Sequence, residues 1–189
     1  MVPRYEIRLS GSGGQGLILA GLILAEAVAL WGNRYVVQSQ SYGPEARGTA
    51  SRSDIIISDE EIDFPKALHL DVLLAMNQKA LDINFLDLKE KGLLIIDADL
   101  VKDLPTTQAV SLPLTGLAQE VAQSPLSANM VALGALAVLT RQVSLPALQK
   151  TMAVHFKKEG LEKNSQALKA GARRARHWLS ENSARSDGA

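Results

Sequence analysis

Two kinds of apolar block alternate along this chain. The short blocks are Tyr5–Ser10, Arg34–Gln40, Ala50–Ser58, Asp71–Asn77, Leu93–Asp97 and Gln108–Leu112. They alternate apolar with polar residues or run apolar for the length of one strand, which predicts strands. The long blocks Leu17–Ala27, Leu114–Ala122 and Asn129–Thr140 are rich in Ala and Leu and predict helices. A further helix is expected from Ala80 to Glu90, ended by Gly92. Another follows Ser144, an N-cap with Pro146 in the first helical turn. Strands alternating with helices predict an α/β fold, an open and mostly parallel sheet with helices on both faces. The final third is helical and carries Arg173, Arg174, Arg176 and His177, ordinarily a solvated helix face. Residues 183–189 have little to anchor them and are expected to be a disordered tail, leaving 1–182 as one domain.

Between the first strand and first helix lies Gly11-Ser12-Gly13-Gly14-Gln15-Gly16, with the G-x-G-x-x-G spacing of a dinucleotide loop. Glycines allow positive φ and let the backbone approach a ligand closely, and the helix start favours a phosphate. The plain alternative is a tight connection with no ligand. An NAD site also wants an acid at the end of the second strand, about 20 residues on. Here that strand ends in Gln38 and Gln40, with no acid before Glu45. The expectation is a phosphate-bearing ligand other than NAD.

Composition narrows the classes. The chain has 189 residues, 47% of them hydrophobic, enough for a sizeable core. Twenty basic residues balance twenty acidic ones, so no basic field favours nucleic acid or an anionic membrane. There is no cysteine, which excludes disulfides, cysteine-ligated iron–sulfur clusters and a thiol nucleophile, and fits a cytoplasmic location. Met1-Val2-Pro3-Arg4 leads into a charged strand rather than a signal peptide, and no apolar run reaches membrane-spanning length.

Catalytic groups are scarce. His69, His155 and His177 stand far apart, outside any metal-ligand spacing. Asp97 and Asp99 end a strand, where open sheets place ligands but where acids also cap turns. A ligand loop without a catalytic set suggests a subunit or a binding module.

Two blocks together carry a family resemblance. The run Gln38-Ser39-Gln40-Ser41-Tyr42-Gly43-Pro44-Glu45-Ala46-Arg47-Gly48 resembles the signature of the gamma subunit of 2-oxoacid:ferredoxin oxidoreductases. So does the glycine loop followed by Ile18-Leu19-Ala20-Gly21. Ile57–Ile62, Ala75–Gln78 and Ala128–Gly134 match in order, and the resemblance covers about residues 5 to 172. The wording from Val37 to Gly48 and the ending from Glu162 to Gly171 look most like the 2-oxoglutarate branch. Thr49 departs from the second glycine usual in that motif.

The resemblance implies a Rossmann-like domain in a complex that oxidatively decarboxylates a 2-oxoacid to acyl-coenzyme A, carbon dioxide and reduced ferredoxin. It implies partners: alpha and beta subunits holding thiamine diphosphate between them, and iron–sulfur clusters in beta and a ferredoxin-like delta. This chain would contribute to coenzyme A binding and assembly and be inactive alone. Gly11, Gly13, Gly14, Gln15 and Gly16 would form the diphosphate loop, with Asn129 beside it. Tyr42, Glu45 and Arg47 would line the crevice or dock alpha, the planar fork of Arg47 suiting a phosphate or a carboxylate. Alternatives within the family are the pyruvate, branched-chain or indolepyruvate enzymes. Outside it stand a stand-alone nucleotide-binding module and a nicotinamide dehydrogenase.

Overall fold

The computed structural model describes residues 4–42, 50–106 and 108–186. Its strands are β1 (Tyr5–Ser12), β2 (Tyr35–Tyr42), β3 (Ala50–Ser58), β4 (Leu70–Ala75), β5 (Leu88–Asp97) and β6 (Val110–Leu112). Its helices are α1 (Leu17–Gly32), α2 (Gln78–Asn84), α3 (Leu114–Ala122), α4 (Ala128–Thr140), α5 (Leu145–His155) and α6 (Lys158–Ser186). Among the described residues the strands form one open sheet in the order β2-β3-β1-β4-β5-β6. β1, β4, β5 and β6 run parallel to their neighbours in that order, whereas β3 is antiparallel to both β1 and β2. The sheet is therefore mixed but mostly parallel. Because β3 is inserted between them, β2 does not lie beside β1 as a dinucleotide fold requires.

The two faces are covered unequally. One buries Ile7, Leu9, Ile55, Ile57, Val72, Leu74 and Ile95 under α1, α3, α4, α5 and α6. The other buries Ile56, Leu73, Leu94 and Ile96 with Ala67, Ala80, Leu81 and Val101, so that among the described residues α2 is the only α-helix on it. Alternation along β1 turns Ile7 and Leu9 to the first face and puts Glu6, Arg8 and Ser10, all buried, on the second. Arg4 and Glu6 bind the backbone of 64–69 there, through the carbonyls of Phe64 and Lys66 and the N–H groups of Leu68 and His69.

The helix expected from Ala80 to Glu90 ends early. α2 stops at Asn84, a short 3-10 turn covers Phe85–Asp87, and β5 begins at Leu88. Asn84 turns its amide onto the Ala80 carbonyl and the Ser10 hydroxyl, and Asp87 reaches Arg8. These tertiary bonds outweigh the helical propensity of the Leu-Lys-Glu-Lys run. Gly92 lies inside β5, where the pairing with β4 shifts register between Leu70 and Val72. A Cβ at Gly92 would sit 2.6 Å from Leu88 Cδ1 and 3.0 Å from the Leu70 carbonyl oxygen.

α4 and α6 pack backbone to backbone. A Cβ at Gly134 would lie 1.9 Å from the Leu168 carbonyl oxygen, and one at Gly171 would lie 1.8 Å from that of Val131. α6 continues to Ser186, so the first residues of the expected tail are helical rather than disordered. No helix among the described residues is long and apolar enough to cross a membrane.

Candidate functional site

The glycine loop is built from the end of β1. Gly11 and Ser12 are still paired with β3, opposite Ser51 and Ala50, so the turn itself is Gly13 to Gly16. The Gln15 N–H closes it on the Ser12 carbonyl at 3.2 Å. Gly14 has φ 93° and Gly16 φ 70°, conformations that L side chains rarely adopt. Gln15 folds inward: its Oε1 accepts the Ser12 N–H at 2.6 Å and its Nε2 donates to the Met76 carbonyl at 3.5 Å. Gly11 makes room for it, since a Cβ there would lie 2.3 Å from that Oε1. Gly13 and Gly14 remain exposed.

Gly16 is the N-cap of α1 and offers no side-chain cap. The first helical bond runs from the Ala20 N–H to the Gly16 carbonyl, leaving the N–H groups of Leu17, Ile18 and Leu19 without helical acceptors. Asn129 seals the junction from the first turn of α4, its Nδ2 donating to the Gly16 carbonyl at 3.0 Å. The Asn129 Oδ1 is buried without a partner. It lies inside α4 rather than before it, and Ser127 holds the N-cap position.

Asn77 ties a third helix to the same edge. Its Oδ1 accepts the Ala80 N–H and caps α2, while its Nδ2 donates to the Ser12 hydroxyl at 2.8 Å. Sequence reasoning gave Asn77 no role, although an Asn just before a helix is an N-cap signal. Thus the N-termini of α1, α2 and α4 converge at the C-terminal ends of β1 and β4. Their dipoles and free N–H groups favour an anion there. The arrangement binds; it offers no group for acid–base work.

The other sequence candidates divide. Gln38 is turned inward, Nε2 donating to the Ile18 carbonyl at 3.1 Å and the Ser53 hydroxyl at 2.9 Å, away from any ribose. Tyr42 ends β2 opposite Ser51, level with the Gly11–Ser51 pair, so β2 leads out at the same edge as the glycine loop. Glu45 and Arg47 lie outside the described residues. Asp97 is fully buried and serves as a cap, accepting from the N–H groups of Asp99, Leu114 and Thr115 and from the Thr115 hydroxyl. Burial pushes its carboxyl above the usual range against those donors. His155 meets Glu26 at 2.6 Å and His177 meets Glu181 at 3.1 Å, two separate pairs. No group of three His, Asp or Glu among the described residues could hold a metal.

A family model described as pyruvate ferredoxin/flavodoxin oxidoreductase matches residues 6–174. The chain belongs to this family. Within it the chain is a gamma-type subunit of a 2-oxoacid:ferredoxin oxidoreductase. It is 47% identical over 172 residues to 2-oxoglutarate synthase subunit KorC of Methanocaldococcus jannaschii, covering 89% of this chain and 92% of that protein. The keto/oxoacid ferredoxin oxidoreductase gamma subunit of Geobacter sulfurreducens PCA superposes with TM-score 0.84 at 44% identity, over 92% of this chain and 97% of that one. The 2-oxoglutarate:ferredoxin oxidoreductase of Magnetococcus marinus, solved with 2-oxoglutarate, coenzyme A and succinyl-CoA bound, matches with TM-score 0.83 at 27% identity. That match covers 93% of this chain but 31% of the other, so the same unit there is part of a longer polypeptide.

Proposed function

We propose that this chain is the gamma subunit of a 2-oxoglutarate:ferredoxin oxidoreductase and that its glycine loop holds the diphosphate of coenzyme A. The substrate assignment is supported by four relatives named 2-oxoglutarate synthase subunit KorC, at 41 to 47% identity. The coenzyme A assignment is carried by one observation: open N–H groups at the start of α1, behind a turn whose glycines leave it bare. A Cβ at Gly14 would meet nothing within 4 Å, so the loop presents backbone to solvent. The buried, unpartnered Asn129 Oδ1 beside it fits a site completed by a ligand.

The division of labour follows from the residues present. Thiamine diphosphate supplies the decarboxylation chemistry, and with no cysteine in this chain the iron–sulfur clusters belong to partners. Those partners are alpha and beta subunits and a ferredoxin-like delta, in a complex that reduces ferredoxin in the cytoplasm. Residues 1–182 act as one unit that binds and orients coenzyme A. Its backbone N–H groups neutralise the diphosphate, and Gln15 holds the turn in place from within. The family resemblance assigns Tyr42, Glu45 and Arg47, which follow from the end of β2, to lining the crevice or docking alpha.

The test is the reconstituted complex carrying Gly13→Val. The KM for coenzyme A is expected to rise while carbon dioxide exchange without coenzyme A is retained. Normal assembly with an unchanged coenzyme A dependence would make the loop purely structural. The substrate is tested separately by comparing kcat/KM for 2-oxoglutarate, pyruvate and branched 2-oxoacids.

A further inference from the structure

At the end of α1 remote from the glycine loop, a groove of about 690 Å³ opens between the C-terminal ends of α1 and α4, the start of α5 and the last turns of α6. Its lining includes Val28, Trp31, Val138, Leu145 and Leu179 together with Arg141 and Arg176. Trp31 is 52% exposed, and Leu30, its neighbour in the chain, is 68% exposed. Lys150 lies 4.3 Å above the Trp31 ring. No Asp or Glu lines the groove.

We infer that this groove docks an apolar, acid-bearing segment of another subunit of the same complex. The inference rests on the chain being one subunit of a larger assembly. Three observations choose this occupant. The first is charge: Arg141 and Arg176 line a largely apolar groove and Lys150 sits over its Trp31, in a chain whose net charge is zero. Neither Arg141 nor Arg176 makes a side-chain ion pair or hydrogen bond among the described residues. A partner carboxylate would supply the missing acceptors, and a planar guanidinium suits it.

The second is the backbone at Arg141. It closes α4 at φ 57°, its N–H bonded to the Ala137 carbonyl, where glycine is the usual residue. A left-handed conformation is unfavourable for a non-glycine residue. That backbone fixes the root of the Arg141 side chain in the lining of the groove. The third is composition, because Trp and Arg, both lining this groove, are enriched in interface hot spots. A second copy of this chain suits the surface poorly, since two-fold pairing would set the same cations against one another. Ten residues of α1, Leu17 to Glu26, about 15 Å of helix, separate the glycine loop from the nearest lining residue of the groove, so a docked partner leaves the loop free.

The experiment is co-expression with the other subunits and affinity capture through one of them, comparing wild type with Arg141→Glu/Arg176→Glu and with Trp31→Ala. Recovery of this chain is expected to fall roughly tenfold or more for the charge reversal, because like charges across an interface repel. Arg141→Lys/Arg176→Lys should restore most of it, and thermal melts of the isolated variants should match wild type. In a Trp178→Phe background, the fluorescence of Trp31 should shift to the blue on assembly. Wild-type recovery of both the reversal and Trp31→Ala overturns the inference. So does a Trp31-dependent homodimer of the isolated chain in sedimentation, which would make a second copy the occupant. Should the reversal unfold the isolated chain, Arg141→Gln/Arg176→Gln decides by the same recovery. A wild-type chain that is never captured would overturn the subunit reading itself, a result separable from the others.

Discussion

Arg8 and Asp54 face each other across β1 and β3 as a bidentate pair, Nε to Oδ1 at 2.7 Å and Nη2 to Oδ2 at 3.0 Å. The guanidinium is 1% exposed, yet each of its five N–H donors has an acceptor. The remaining acceptors are Asn84 Oδ1, Asp87 and the Ala67 carbonyl. Burial alone would lower the pKa of Arg8, but bonds to Asp54 and Asp87 hold it above its ordinary value. This one side chain joins two strands, the end of α2 and the segment before β4.

Arg8→Met should therefore destabilise the fold by about 3–5 kcal/mol, because Asp54 is left buried beside only a longer contact to Arg52. Adding Asp54→Leu should recover much of the loss, since removing both charges avoids the stranded one. Urea unfolding of the two variants measures this. A loss below about 1 kcal/mol for Arg8→Met would contradict the account.

Gly134→Ala and Gly171→Ala set helix propensity against packing. Alanine favours a helix by about 1 kcal/mol over glycine. Here each new methyl would meet a carbonyl oxygen of the facing helix at under 2 Å, and backbone cannot turn aside as a side chain can. Overpacking costs about 1–3 kcal/mol or more, so both variants should melt lower than wild type. A raised Tm would show that α4 and α6 separate freely.

Gly14→Ala and Gly16→Ala distinguish strain from contact. Both positions have positive φ, so each alanine costs about 1–2 kcal/mol. Only at Gly16 does the methyl also strike a neighbour, Asn129 Nδ2 at 2.4 Å. Gly16→Ala should be the more destabilising and should raise the KM for coenzyme A in the complex. Equal melts for the two would remove Asn129 from the explanation.

Two buried carboxyls should give opposite pH dependences. Burial raises Asp97 above its unfolded value, so its stabilising contribution is full below the unfolded pKa, about 4, and is lost as pH rises through the folded one. Asp97→Asn should then gain on wild type as pH rises above about 4. Burial also pushes Glu6 upward, but the Arg4 bond and the N–H groups of His69 and Leu68 outweigh it and lower the pKa. Its contribution is present above the unfolded pKa and lost as pH falls through the lowered folded value. Glu6→Gln should be destabilised at neutral pH and converge with wild type in acid. Thermal melts of both variants across that range test the signs.

Local chemistry made much of this protein readable from its residues. Strand and helix blocks, the Ser144 cap and the glycine turn announce themselves because propensity, capping and positive φ act within a few residues. Asn129 could be placed beside the loop only through resemblance to a family, since nothing near it in the chain points to Gly16. The insertion of β3 between β1 and β2, the early end of α2 at Asn84 and the inward turn of Gln15 and Gln38 belong to tertiary structure. Each depends on a partner distant along the chain, such as Ser10 for Asn84, 74 residues away, or Ser53 for Gln38, 15 away. A buried polar group binds whichever acceptor the assembled fold brings to it, and periodicity along the chain carries no record of that choice.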